Sequence, residues 1–171
     1  MVCVDCGFIV MGSSLDFLEI CRIDASHPSV TERYFKTRII PTYDECVLTH
    51  SNRLCLITLA PTHPILKENL DVISINFDPV GKVNRLSNKV SGKFKKGGQK
   101  LSEKSVLCTV KCSNDCEYTI YSCISGSLVE VNERLVENPK LLKENPWSEG
   151  YIGIILPPFN SSHKNCMEDV S

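Results

Sequence analysis

Short apolar runs separated by turn residues dominate the chain from residue 45 to residue 156, and they predict strands rather than long helices. Cys46-Val47-Leu48 leads into the polar His50-Ser51-Asn52-Arg53 and then into Leu54-Cys55-Leu56-Ile57-Thr58-Leu59, which predicts a β-hairpin over residues 45–59. Pro61 and Pro64 end it, since each proline removes a ladder donor, and His63 between them reads as a loop residue. Residues 72–77 alternate strictly from Ile73, so Ile73, Ile75 and Phe77 are expected on one inward face. Asp78-Pro79-Val80-Gly81 is turn chemistry. Residues 106–112 and 117–122 form a strand pair around the tight turn Ser113-Asn114-Asp115. Residues 128–132 continue the β pattern, and residues 150–156 are a last buried strand closed by Pro157-Pro158.

Helices are few. Ser29-Val30-Thr31-Glu32 fits a capping box, with Val30, Arg33, Tyr34 and Phe35 following on a short helix. Asn138 as N-cap with Pro139 at the first helical position predicts a second short helix, which Pro146 ends. Residues 1–27 lack a clear period and read as a poorly ordered extension or an added helix around residues 15–21. The expected organisation is therefore this divergent extension, one β domain over residues 28–158 and a frayed polar tail over residues 159–171.

The motif apolar-Ser-Gly occurs twice, in Val90-Ser91-Gly92-Lys93-Phe94 and Ile124-Ser125-Gly126-Ser127-Leu128. At the same fixed offset Leu86 matches Ile120, Lys100 matches Arg134, Leu101 matches Leu135 and Glu103 matches Glu137. That register is the mark of an internal duplication, and two copies suit a small closed β domain with approximate two-fold symmetry. Ser91, Gly92, Ser125 and Gly126 are expected at structural turns, each glycine supplying positive φ at a turn or bulge.

The chain has 171 residues, 42% of them hydrophobic, and a formal net charge of −1, as expected of a globular domain. No run approaches the roughly 20 apolar residues of a membrane span. No basic leader opens the chain, so the ten cysteines are expected to be mostly reduced thiols in a cytosolic or nuclear protein. Their spacing spells no zinc site: Cys3 and Cys6 stand alone, and Cys108, Cys112 and Cys116 run through a strand pair. No phosphate loop, nucleophile elbow or His-Glu-x-x-His motif is present, so an enzyme is not expected.

Charge is the feature with most content for binding. Residues 82–104 hold eight basic residues and one acid, Glu103, a net of +7 in a nearly neutral chain. Lys89, Lys93, Lys95, Lys96 and Lys100 are the candidate partner-binding residues, facing an acidic partner. Phe94 is the one aromatic there and lysine outweighs arginine, so nucleic acid is the weaker partner.

Two resemblances add to this reading. Residues 124–132, then Leu135, Asn138-Pro139, Leu141 and Glu149-Gly150-Tyr151-Ile152, resemble the H-protein of the glycine cleavage system and so the lipoyl/biotinyl domains. That resemblance implies a mainly β barrel-sandwich hybrid with short flanking helices. By fold analogy the carrier lysine would fall at residues 113–116, where Ser113, Asn114, Asp115 and Cys116 stand, so no lipoyl or other cofactor is expected. Residues 30–35, Leu48-Thr49-His50-Ser51-Asn52-Arg53, Leu86 to Lys95, and Val129-Glu130-Val131-Asn132 to Ile152 are similar to the actin-binding transcription modulator family, also called Simiate. The match covers roughly residues 28–160; residues 1–27 do not look like the family's usual start, and members tend to run on beyond Phe159. The resemblance implies binding of monomeric and filamentous actin, with effects on polymerisation, filopodia, lamellipodia, growth cones and dendrite or neurite branching. It also implies a nuclear pool in speckles, beside the cytoplasm and actin-rich projections, and a role in transcription. The alternatives are a nuclear adaptor contacting RNA or transcription proteins, and a modified carrier domain.

Overall fold

Nine strands in two antiparallel sheets form the domain, seen in a computed structural model that describes residues 30–78, 83–92 and 96–159. The extension over residues 1–27, Ser29 of the capping box, Lys82, Lys93, Phe94, Lys95 and residues 160–171 lie outside the described residues. Helix α1 (Val30–Tyr34) runs directly into β1 (Phe35–Ile40), so Phe35 opens a strand instead of ending a helix. β2 (Glu45–His50) and β3 (Cys55–Leu59) are the expected hairpin. Its turn is held by local chemistry: the Asn52 carboxamide accepts from Leu54 N–H at 3.0 Å, and Arg53 takes φ 73°. After α2 (Pro64–Lys67) come β4 (Val72–Asn76), β5 (Lys100–Leu101), β6 (Val106–Cys112), β7 (Glu117–Tyr121) and β8 (Gly126–Val131). The single turns α3 (Arg134–Glu137) and α4 (Leu141–Glu144) precede β9 (Gly153–Leu156).

The larger sheet has the order β1-β2-β3-β9-β8-β5, with β1 and β5 at its edges; the smaller has the order β4-β6-β7. Both feed one core, in which Ile57, Leu107, Val110, Ile120, Leu128, Leu135, Leu142 and Ile155 are all fully buried. Each such side chain stabilises the fold by about 1.5–3 kcal/mol relative to exposure. β2 is buried on both faces, because Cys46, Leu48 and Ala60 form a second cluster against Phe35 and Leu56. The loop from Pro146 closes that region: Trp147 Nε1 donates to the Leu59 carbonyl at 3.1 Å, and Thr31 Oγ1 donates to the Trp147 carbonyl at 3.1 Å. The architecture is thus the expected mainly β one with short helices.

Several local expectations are corrected. A register shift between Val72 and Ser74 turns Val72 inward and leaves Ile73 56% exposed, so strict alternation from Ile73 fails. Asn138 closes α3 instead of capping a helix; α4 starts later, with Lys140 at its N-cap and no side-chain cap. The duplication does not carry into structure. Leu86 lies in a loop and is exposed, whereas its match Ile120 is fully buried in β7. Lys100-Leu101 is a strand, and its match Arg134-Leu135 is a helical turn. His63 is buried, not a free loop residue: its Nδ1 accepts from Ile65 N–H at 3.2 Å as the N-cap of α2, and its ring meets Tyr118 edge-on at 5.4 Å.

Candidate functional site

The basic segment is anchored to the barrel by three polar side chains. Arg85 donates from Nε and Nη2 to the Val106 carbonyl at 3.1 and 2.9 Å, and from Nη1 to Gln99 Oε1 at 2.7 Å. Asn88 Nδ2 donates to the carbonyls of Leu128 and Val129, both at 3.0 Å, where the β8 register shifts. Asn88 Oδ1 accepts from Gln99 N–H at 2.8 Å, and Gln99 Nε2 donates to the Asn84 carbonyl at 2.9 Å. Arg85 is therefore half-buried and committed to the fold; partial burial holds its guanidinium below its ordinary value. The anchors leave the lysines outward.

Lys89, Lys96 and Lys100 are exposed. Ser91 and Lys96 pair through two backbone hydrogen bonds of 2.9 and 3.0 Å. A Cβ on Gly97 would stand 2.9 Å from the Lys89 carbonyl oxygen, so the two arms carrying Lys89 and Lys96 run against each other. Lys100 follows on the edge strand β5, its Nζ donating to Ser127 Oγ at 2.5 Å. Three of the five candidate lysines thus share one anchored loop, and Lys93 and Lys95 lie outside the described residues.

The four turn residues divide. Ser91 and Gly92 sit at the exposed bend, with Gly92 at φ +66° as expected. Gly126 does not have positive φ: it opens β8, and a Cβ there would stand 2.7 Å from both Ile155 Cγ2 and the Leu156 oxygen. Close approach, not backbone hand, requires that glycine. In the second copy the positive φ falls on Cys123, at 58°, while Ser125 is exposed.

The β6–β7 hairpin ends in Ser113, Asn114, Asp115 and Cys116, all exposed, with Asp115 at φ 58°. Lys111 is exposed below the tip and faces Glu117 across the strand pair.

One buried polar group was missed in the sequence. Glu45 is fully buried at the start of β2, where its Oε1 accepts from Tyr121 N–H at 3.0 Å and its Oε2 from the Cys123 thiol at 3.3 Å. It joins the two sheets at the end of β7. Burial raises its carboxyl to about 7, partly offset by those hydrogen bonds. Burial, then the Glu45 charge, also raises the thiols of Cys108 and Cys123, and burial alone pushes Cys46 up to about 11. These are inert thiols packed as small apolar side chains. None of the six cysteines among the described residues is in a disulfide. An acid heading an apolar β run, directly after Asp44, was the available signal for Glu45.

Among characterised sequences the chain is 47% identical over 150 residues to Protein Abitram of Xenopus tropicalis, covering 84% of this chain and 82% of that one. It is 45% identical over 141 residues to Protein Abitram of Homo sapiens, covering 79% and 78%. The chain belongs to the Abitram family. These relatives carry the name Abitram rather than Simiate. The sequence profile described as Glycine cleavage H-protein matches residues 62–169 of this Abitram-family chain, so its domain is of the H-protein, carrier type. The crystal structure of a glycine cleavage system H protein from Mycobacterium marinum shares the fold, with a TM-score of 0.50 and 15% identity, covering 71% of this chain and 83% of that one. The Abitram-family domain therefore has the H-protein-like architecture that the resemblance implied.

Proposed function

We propose that this Abitram-family chain is a non-enzymatic actin-binding regulator of filament dynamics with a nuclear pool, as in the actin-binding transcription modulator (Simiate) family that its sequence resembles. The observation that supports it is the anchored basic loop, where Lys89, Lys96 and Lys100 stand exposed within a segment of net +7. Such a loop gives an acidic partner charge complementarity, and Asn88, Arg85 and Gln99 tie its described ends to the barrel. Actin offers such an acidic surface.

The test is co-sedimentation of the purified protein with filamentous actin at low and physiological salt, beside a Lys89/Lys96/Lys100→Glu variant. Binding at physiological salt, weakened at least about tenfold in the variant, is the expected result. Equal binding by the variant removes the lysine loop from the contact. No pelleting at either salt removes actin and favours the nuclear adaptor that contacts RNA or transcription proteins. A steep fall of oligonucleotide binding with salt would mark that role.

A further inference from the structure

A cleft of about 740 Å³ opens where the end of β9 meets the start of β8, the edge strand β5 and the β2–β3 turn. It lies outside the lysine loop except for Lys100. Its floor is aliphatic, formed by Leu101, Leu156 and the two prolines that follow. Its polar rim is Ser125, Ser127, Lys100 and Arg53. Among the described residues both charged side chains lining it are cations and none is an acid. The Arg53 backbone stands at φ 73°, and its guanidinium lies 4.8 Å from the centre of the Phe159 ring. Phe159 itself is 86% exposed.

We propose that this cleft docks an acidic peptide segment of a partner protein that carries one aliphatic or aromatic anchor side chain. The anchor covers Leu156 and the prolines, its neighbouring carboxylates meet Arg53 and Lys100, and the hydroxyls of Ser125 and Ser127 bond the peptide backbone. The volume is that of an ordinary small-ligand pocket, enough for an anchor and its flanks. The planar guanidinium of Arg53 matches a carboxylate with two parallel hydrogen bonds. A nucleic-acid strand suits the cleft less well. It needs a row of open aromatic faces for its bases, and among the described residues the lining offers the single ring of Phe159.

This inference goes beyond the actin reading and stands or falls without it. The test is fluorescence anisotropy with a short fluorescein-labelled peptide holding a leucine between aspartates. Counterparts replace the leucine by serine or the aspartates by lysines, and a labelled oligo-uridine is run beside them. The cleft variants are Arg53→Asn, since asparagine accepts the left-handed backbone of that turn, and Ser125→Asp at an exposed position. Thermal melts establish that both are folded. The expected result is binding of the acidic apolar peptide, weakened about tenfold in each counterpart and in each variant. No binding of that peptide, equal binding of either counterpart, affinity unchanged in both variants, or tighter binding of oligo-uridine overturns the proposal. Because neither variant touches Lys89, Lys96 or Lys100, loss here and loss of actin pelleting are separately readable.

Discussion

Glu45 is the residue whose chemistry most exceeds its place in the pattern. It is a carboxyl with no exposed surface, held by one backbone amide and one thiol. Folded, it keeps its proton up to about pH 7; its ordinary value is 4.5. Between those values the folded chain binds more protons than the unfolded one. Stability from this group is fully present below the unfolded value and declines as pH rises towards 7, by roughly 3 kcal/mol. Glu45→Gln keeps an acceptor for Tyr121 N–H and removes the ionisation. Urea midpoints measured from pH 5 to pH 8 are expected to rise more steeply with pH in the variant than in the native chain, because burial lowers the His63 pKa and leaves a stability that grows with pH, which the Glu45 ionisation offsets. Two glycines give a second residue-scale test. Gly126→Ala meets Ile155 and the Leu156 oxygen at 2.7 Å and is expected to cost about 2–4 kcal/mol. Gly92→Ala meets nothing within 4 Å and bears only the positive φ, costing about 1–2 kcal/mol. Thermal or urea unfolding of the pair checks the order.

At the scale of elements, the basic loop is ordered by side chains from outside any strand. Asn88 bonds the carbonyls of Leu128 and Val129 and the amide of Gln99. Removing it leaves three backbone groups to find water, and the two carbonyls sit where β8 bulges. Asn88→Ala is expected to destabilise by about 2–3 kcal/mol and to speed tryptic cleavage at Lys89, Lys96 and Lys100, read by mass spectrometry during limited digestion. Unchanged cleavage would show that Arg85 and Gln99 suffice to hold the loop.

For the whole molecule, legibility followed periodicity. The β2–β3 and β6–β7 hairpins were plain in the sequence because each pairs β-rich runs across a polar turn, Ser51-Asn52 and Ser113-Asn114-Asp115. What escaped was non-local. Ile73 faces outward because a bulge resets the period after Val72, and no single-strand pattern contains a bulge. β1 was hidden because Lys36 and Arg38 break its apolar run, and β5 because two residues carry no period. Of the site, the charge was legible and its anchoring was not. Arg85 reads as one more cation, yet it spends its guanidinium on Val106 and Gln99, atoms brought near only by the closed barrel.

The charged edge has a further consequence. Among the described residues β1 ends the larger sheet, and its outer backbone faces no other strand of that sheet. A second copy adding there in antiparallel register would set the cations of the two strands against one another. Lys36 and Arg38 are therefore expected to disfavour that pairing. Replacing both by threonine is expected to make the sedimentation profile grow more steeply with loading than that of the native chain.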